Sequence, residues 1–280
     1  MLRAEQLQNA ALQKATLEGL FQKSKKALEA DKIYMREFVD LYGEENVQKD
    51  EDRLKRIKHS FNDSDREQGV EAKKLADIFE AIISEQIELS DWLGENTSAI
   101  HTAEFDDVVN GVDVIAEFNE EGKSPDYMGL AIDVSYVRDI RYKIEKIKKD
   151  IDGKNLSQIK YFRGGSDDFR GEKSNIPKVI ITANPNTILE LGALWQNRKN
   201  KELAGHYVQF QILDEIIVQL EAYMKYAQKT GREKIAAIYQ KTLIKIKEIY
   251  DNKKPEENDS GERDSYFKPM LEIVEKIENL

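Results

Sequence analysis

The chain has 280 residues, 40% hydrophobic and 34% charged, with a formal net charge of −10 and no cysteine. That length suits one large domain or two ordinary ones; the missing thiols exclude a disulfide framework, thiolate zinc sites and cysteine nucleophiles, and the negative charge excludes indiscriminate coating of nucleic acid. No apolar run approaches the roughly 18 residues of a membrane span, and the N-terminal Met-Leu-Arg-Ala-Glu-Gln-Leu-Gln lacks the apolar core of a signal peptide, so a cytoplasmic protein with no membrane partner is expected.

Residues 1–66 read as a helical extension. Leu12, Leu17, Leu20, Phe21 and Leu28 recur at helical spacing, and Asp31 and Gly43 suit the N-cap and C′ positions of a helix over 31–42. A helix over 67–93 carries Leu75, Ile78, Phe79, Ile82, Ile83, Ile87 and Leu89, with Gly94 ending it. Residues 102–105 and 107–110 are candidate extended stretches. The period then changes: 111–118 and 128–136 alternate as two strands of a hairpin around a polar turn. A helix over 137–151 lines up Ile140, Ile144, Ile147 and Ile151. Two short strands, 158–162 and 178–182, flank a surface loop that begins at Arg163-Gly164-Gly165. Helices over 186–199, 206–228, 233–252 and 266–280 complete the chain, with a charged, poorly ordered linker over 253–264. The expected fold is α/β (α+β), a small mixed sheet within 67–200 between helical regions 1–66 and 201–280.

Asp113 and Asp133 stand out. Pairing Phe118 with Met128 across the turn sets the two aspartates opposite each other, where like charges repel. Both also lie inside apolar runs, where an unpaired carboxylate is costly. A hard cation with oxygen ligands, Mg²⁺ or Mn²⁺, would remove both objections. Ile78, Ile82, Glu85, Leu89 and Trp92 step by helical intervals, so Glu85 falls in an apolar stripe and must either snorkel or point at something that needs negative charge. Lys143 lies between Ile140 and Ile147, at the border of the following helix's apolar face. From Tyr136 to Lys173 there are eleven Lys and Arg against seven Asp and Glu, a basic stretch directly after the hairpin. His59, His101 and His206 are scattered and make no metal-ligand spacing, and Ser135 has no histidine nearby to activate it.

The order helix, strand, strand, helix and strand, with these carboxylates, resembles the PD-(D/E)XK nuclease superfamily over about residues 67–185. The resemblance implies an αβββαβ, restriction-endonuclease-like core with a helical acid at Glu85, a strand aspartate at Asp113 and the triplet at Asp133-Val134-Ser135. It implies that Asp113, Asp133 and Glu85 bind Mg²⁺ or Mn²⁺ and that the substrate is nucleic acid, DNA ahead of RNA. The triplet departs from the family pattern, since Ser135 stands where lysine is expected. Lys143 on the following helix, or Lys160 on the next strand, would have to replace it. If neither reaches the site, the alternative is a non-catalytic interaction or assembly protein on a nuclease-like core, a homodimer through its helical regions.

Overall fold

The computed structural model describes residues 2–62, 67–133, 137–165 and 169–278. Helix α1 (Leu2–Ala30) is followed by a 3₁₀ turn (Met35–Phe38), the short α2 (Val39–Tyr42) and α3 (Glu44–Asn62). Next come α4 (Glu67–Leu89), β1 (Thr97–His101), a π-helical turn (Asp106–Asn110), β2 (Val114–Phe118), β3 (Asp126–Asp133) and α5 (Val137–Asp152). Strands β4 (Ser157–Arg163), β5 (Arg170–Ile176) and β6 (Lys178–Thr182) lead into α6 (Pro185–Gln196), α7 (Asn200–Ala204), α8 (Val208–Lys229), α9 (Glu233–Asn252), α10 (Pro255–Asn258) and α11 (Phe267–Glu278). The fold is a mixed α/β one.

The main sheet runs β1-β2-β3-β6, with β2 antiparallel to both neighbours and β3 parallel to β6. A parallel pair needs a long crossover; α5 and the β4–β5 hairpin, which forms a second, two-stranded sheet, supply it. Val114, Ala116, Met128 and Leu130 share one hydrophobic core with Ile78, Phe79 and Ile82 of α4. Leu20 of α1, Trp195 of α6, Tyr223 of α8, Tyr239 of α9 and Val274 of α11 belong to that same core, so the terminal helices are built onto the sheet. A second, smaller core around Phe38, Phe105 and Tyr161 joins residues 33–54 to β4.

Several sequence expectations need correction. The first is the hairpin register: Phe118 pairs with Asp126 and Ala116 with Met128, two residues away from the expected pairing. The cause is a tighter turn. Gly122 adopts a positive φ of 73° and Lys123 N donates to Glu120 O at 3.1 Å, so β3 starts at Asp126. Asp113 donates its N–H to Leu130 O, and Asp133 lies beyond its cross-strand partner. Second, 107–110 is not extended but lies in the π-helical turn, closed by Gly111 at φ 66°. Third, the region after Arg163 is not all loop, because 170–176 forms β5, a polar edge strand that escapes a search for apolar alternation. Fourth, the charged 253–264 segment is tied down: Arg263 pairs with Asp214 and Asp259, and Asp264 accepts the Asn184 N–H at 2.7 Å. Last, the 31–42 segment is a 3₁₀ turn and one helical turn instead of a continuous helix.

The open edge of β6 is closed by side chains of α8. Gln219 both accepts from Ile180 N (2.8 Å) and donates to Ile180 O (2.7 Å), and Glu215 accepts from Thr182 N (2.8 Å) and Thr182 Oγ1 (2.7 Å). These bonds satisfy backbone groups that an edge strand otherwise leaves unpaired. Burial pushes the Glu215 carboxyl up to about 8 from 4.5. Its contribution to stability is therefore full below about pH 4.5 and is lost as pH rises through about 8. Glu215→Gln keeps the shape and an acceptor without the buried charge. Thermal melts at pH 5–9 are expected to show a shallower alkaline loss in this variant, which gains about 1–3 kcal/mol over wild type at the alkaline end. An unchanged slope would count against this reading.

Candidate metal and phosphate site

Acidic residues from three segments meet at the end of the sheet where β1 and β3 finish and β2 begins. Asp77 and Glu80 lie three residues apart on α4, Asp107 lies in the π-helical turn, and Asp113 immediately precedes β2. Backbone bonds hold the last of these in place. Thr102 N donates to Asp113 O at 3.1 Å, and Thr102 Oγ1 donates to Val112 O at 2.6 Å. The turn that carries Asp107 is anchored by buried Asp106, whose carboxylate accepts from Lys160 N (2.8 Å), Tyr161 N (2.9 Å) and Asn110 Nδ2 (2.6 Å).

The charge of Asp113 disfavours ionisation of Asp77, Glu80 and Asp107. Burial, then the charges of Asp113 and Asp77, push Glu80 well above the usual carboxylate range. The packing of protein around its carboxyl, then the charge of Asp113 and a hydrogen bond to it, raise Asp107 as well, but Asp107 is an exposed residue, so solvent screens much of this effect. Asp77 is raised by burial and by Asp113, against the opposing charge of Lys73. His101 at the end of β1 brings Nδ1 to 3.1 Å from Glu80 Oε1. Burial lowers the His101 pKa while it raises that of Glu80, so a single proton between the two neutral-favouring groups satisfies the contact.

Lysines border the other side. Lys178, the first residue of β6, is only 5% exposed and donates from Nζ to Asn110 O at 3.0 Å. Burial and the nearby Lys146 lower its pKa to about 8, with Lys143 and Asp113 also within electrostatic reach. A Cβ on Gly111 would lie 3.8 Å from Lys178 Nζ and 3.9 Å from Lys146 Nζ, so both ammonium groups flank this glycine. Asp150 on α5 offsets part of their charge. The result is an acidic cluster and a basic cluster joined by the short segment 107–113.

The sequence-derived residues divide accordingly. Asp113 is at the centre of the acidic group. Lys143, half-buried on α5, lies within electrostatic reach of Lys178. Asp133 ends β3, its backbone paired with Thr182, on the same rim of the sheet as Asp113; its side chain, with Val134 and Ser135, lies outside the described residues. Glu85 is taken up away from the acidic cluster: it accepts a hydrogen bond from the neutral indole Nε1 of Trp195 on α6 at 2.7 Å. The α4 acids in electrostatic reach of Asp113 are Asp77 and Glu80. Lys160 is taken up elsewhere: its ammonium pairs with Asp50, with the rings of Tyr42, Phe105 and Tyr161 around it. Glu117, on the hairpin face expected to hold carboxylates, is fully buried, and that face is covered by Ile159 and Phe162 of β4.

A hard cation fits the donor chemistry of the acidic cluster, because oxygen ligands that must otherwise share or retain protons are those that a divalent ion would stabilise in ionised form. Among the described residues no three Asp, Glu or His side chains already converge closely enough to hold one. No described helix is long and apolar enough to cross a membrane. In comparisons with known proteins, no family model, no curated protein and no solved structure matches the chain.

Proposed function

We infer that the chain is a divalent-metal-dependent nuclease built on a PD-(D/E)XK-like core. The order α4, β1, β2, β3, α5 and β6 supports this reading, since it follows the αβββαβ arrangement with the β4–β5 hairpin inserted before the last strand. The observation that carries it is the crowding of Asp77, Glu80, Asp107 and Asp113 beside Lys178 and Lys146. A fold retains such like-charge crowding at a cost, and active sites are where crowded, partly desolvated carboxyl groups with raised pKa values are commonly arranged.

Asp107 and Asp113, which share a hydrogen bond, would supply the first oxygen ligands, with Glu80 as the neighbouring acid; Asp133 is a further candidate by the family resemblance, its backbone lying on the same rim of the sheet. A cation held there would polarise a phosphoryl oxygen and acidify a bound water. Lys178 offers a positive charge of the kind absent from Ser135, arriving from β6 instead of β3. Its buried ammonium is held by Asn110 O on the segment that carries Asp107, so it can stabilise charge developing on a phosphate at that rim. Lys146, exposed on α5, would bind the next phosphate along. His101 holds Glu80 in orientation and can exchange its proton as the carboxylate ionises.

Incubation of the protein with DNA and RNA in Mg²⁺ or Mn²⁺ tests this reading. Cleavage that disappears in excess chelator and in both Asp113→Ala and Asp133→Ala is the expected outcome. Cleavage that persists in any of these would overturn it. No cleavage and no metal binding would leave the helical interaction role as the better account.

A further inference from the structure

We propose that the outer face of α5 is a docking surface for single-stranded nucleic acid, with Tyr142 as the stacking platform for a base. The inference rests on the nuclease reading and names its substrate form. Tyr142 is 72% exposed, the most exposed large hydrophobic side chain among the described residues. Arg141 stands beside it, and Lys146 and Lys149 follow at one and two helical turns, all three exposed. Glu145 is the one acid exposed between them. This local cationic face stands out on a chain whose net charge is −10. Lys146 links the face to the site, because its Nζ approaches Val109 O at 3.5 Å and borders Gly111 together with Lys178.

An aromatic ring left in water beside cations gains by stacking on an unpaired base, and duplex bases offer no such face. The backbone phosphates of the same strand would then follow Lys146 towards the acidic cluster, where the scissile bond is held. Duplex DNA can use the lysines but not the ring.

Fluorescence anisotropy with a labelled 20-nucleotide oligo(dT), in chelator so that binding is read without cleavage, tests the assignment. Tyr142→Ala is expected to weaken single-strand binding by about fivefold or more, with Tyr142→Phe close to wild type. Lys149→Gln is expected to weaken single-strand and duplex binding alike and to reduce the salt dependence. Single-strand affinity unchanged in Tyr142→Ala, or lost equally in Tyr142→Phe, would overturn the proposal. Metal-dependent cleavage by wild type alongside either result would sink the docking surface while leaving the nuclease reading intact. Absence of both cleavage and binding would remove the two together.

Discussion

Asp113→Asn is expected to make the metal-free protein more stable while abolishing its stabilisation by Mg²⁺. The charge of Asp113 raises the pKa values of Glu80, Asp107 and Asp77, so replacing it by an amide of the same size removes the common repulsive element. At alkaline pH the gain is expected to be about 1 kcal/mol, or roughly 2 °C in melting temperature, because Asp77 and Glu80 are only half-buried and Asp107 is exposed, so solvent screens their repulsion. The amide can also donate to Asp107, replacing the shared proton. Mg²⁺ should stabilise wild type by mass action, about 2.7 kcal/mol when its concentration is a hundred times the dissociation constant. In Asp113→Asn that increment should vanish. The opposite pattern, a destabilised variant that still responds to Mg²⁺, would mean that Asp113 is a structural carboxylate held by favourable partners.

The pH dependence of wild type follows from the same shifts. Glu80, Asp107 and Asp77 all have folded pKa values above their ordinary ones. Their contribution to stability is full in acid and is lost as pH rises towards and through the raised values. Metal binding ionises them and releases protons, so Mg²⁺ stabilisation should increase as pH increases. These two trends oppose each other only if the cluster and the cation site are the same groups.

Lys178→Met is expected to reduce cleavage by about 10²-fold or more, the effect of removing one preorganised charge from a transition state. The ammonium form of Lys178 is lost as pH passes about 8, so wild-type activity should decline on the alkaline side and Lys178→Met should lack that decline. The folded protein should tolerate the change. Removing the desolvated ammonium relieves its burial cost and offsets the lost hydrogen bond to Asn110 O, and a melting curve of the variant checks that balance. Full activity with the alkaline decline intact would assign the lysine function elsewhere, with Lys143 the next residue to test.

Much of the scaffold is legible in the sequence because its signals are local. The isoleucine stripes of α4 and α5 and the β-branched run of β6 mark those elements to within a few residues. The position of Asp113 at the entry to a strand is legible because the apolar alternation of 114–118 begins directly after it. Glu85 shows the limit of periodicity: the stripe correctly reports a half-buried acid, but α4 has helices on one side and the sheet on the other, and spacing does not say which neighbour the acid meets. Asp77 and Glu80 carried their own signal, two acids three apart on an isoleucine-rich helix. The register was hidden in one glycine, since Gly122 decides where the turn closes and thereby moves Asp133 two residues along the sheet edge. Lys178 resembles a flanking charge in sequence, because only the parallel pairing of β6 with β3 and the crossing of α5 bury it. The basic group comes together only through tertiary folding, and no segment of the chain contains it whole.

Anomalous diffraction from crystals soaked in Mn²⁺ tests the central claim most directly, that the acids at the sheet end are ionised by a shared cation. The expected result is a manganese peak with oxygen ligands from Asp107 and Asp113 at roughly 2.0–2.3 Å, with Glu80 or Asp133 completing the protein ligands and Lys178 nearby. A map with no peak there, and the Asp107–Asp113 hydrogen bond unchanged at a pH above 8, would contradict the account.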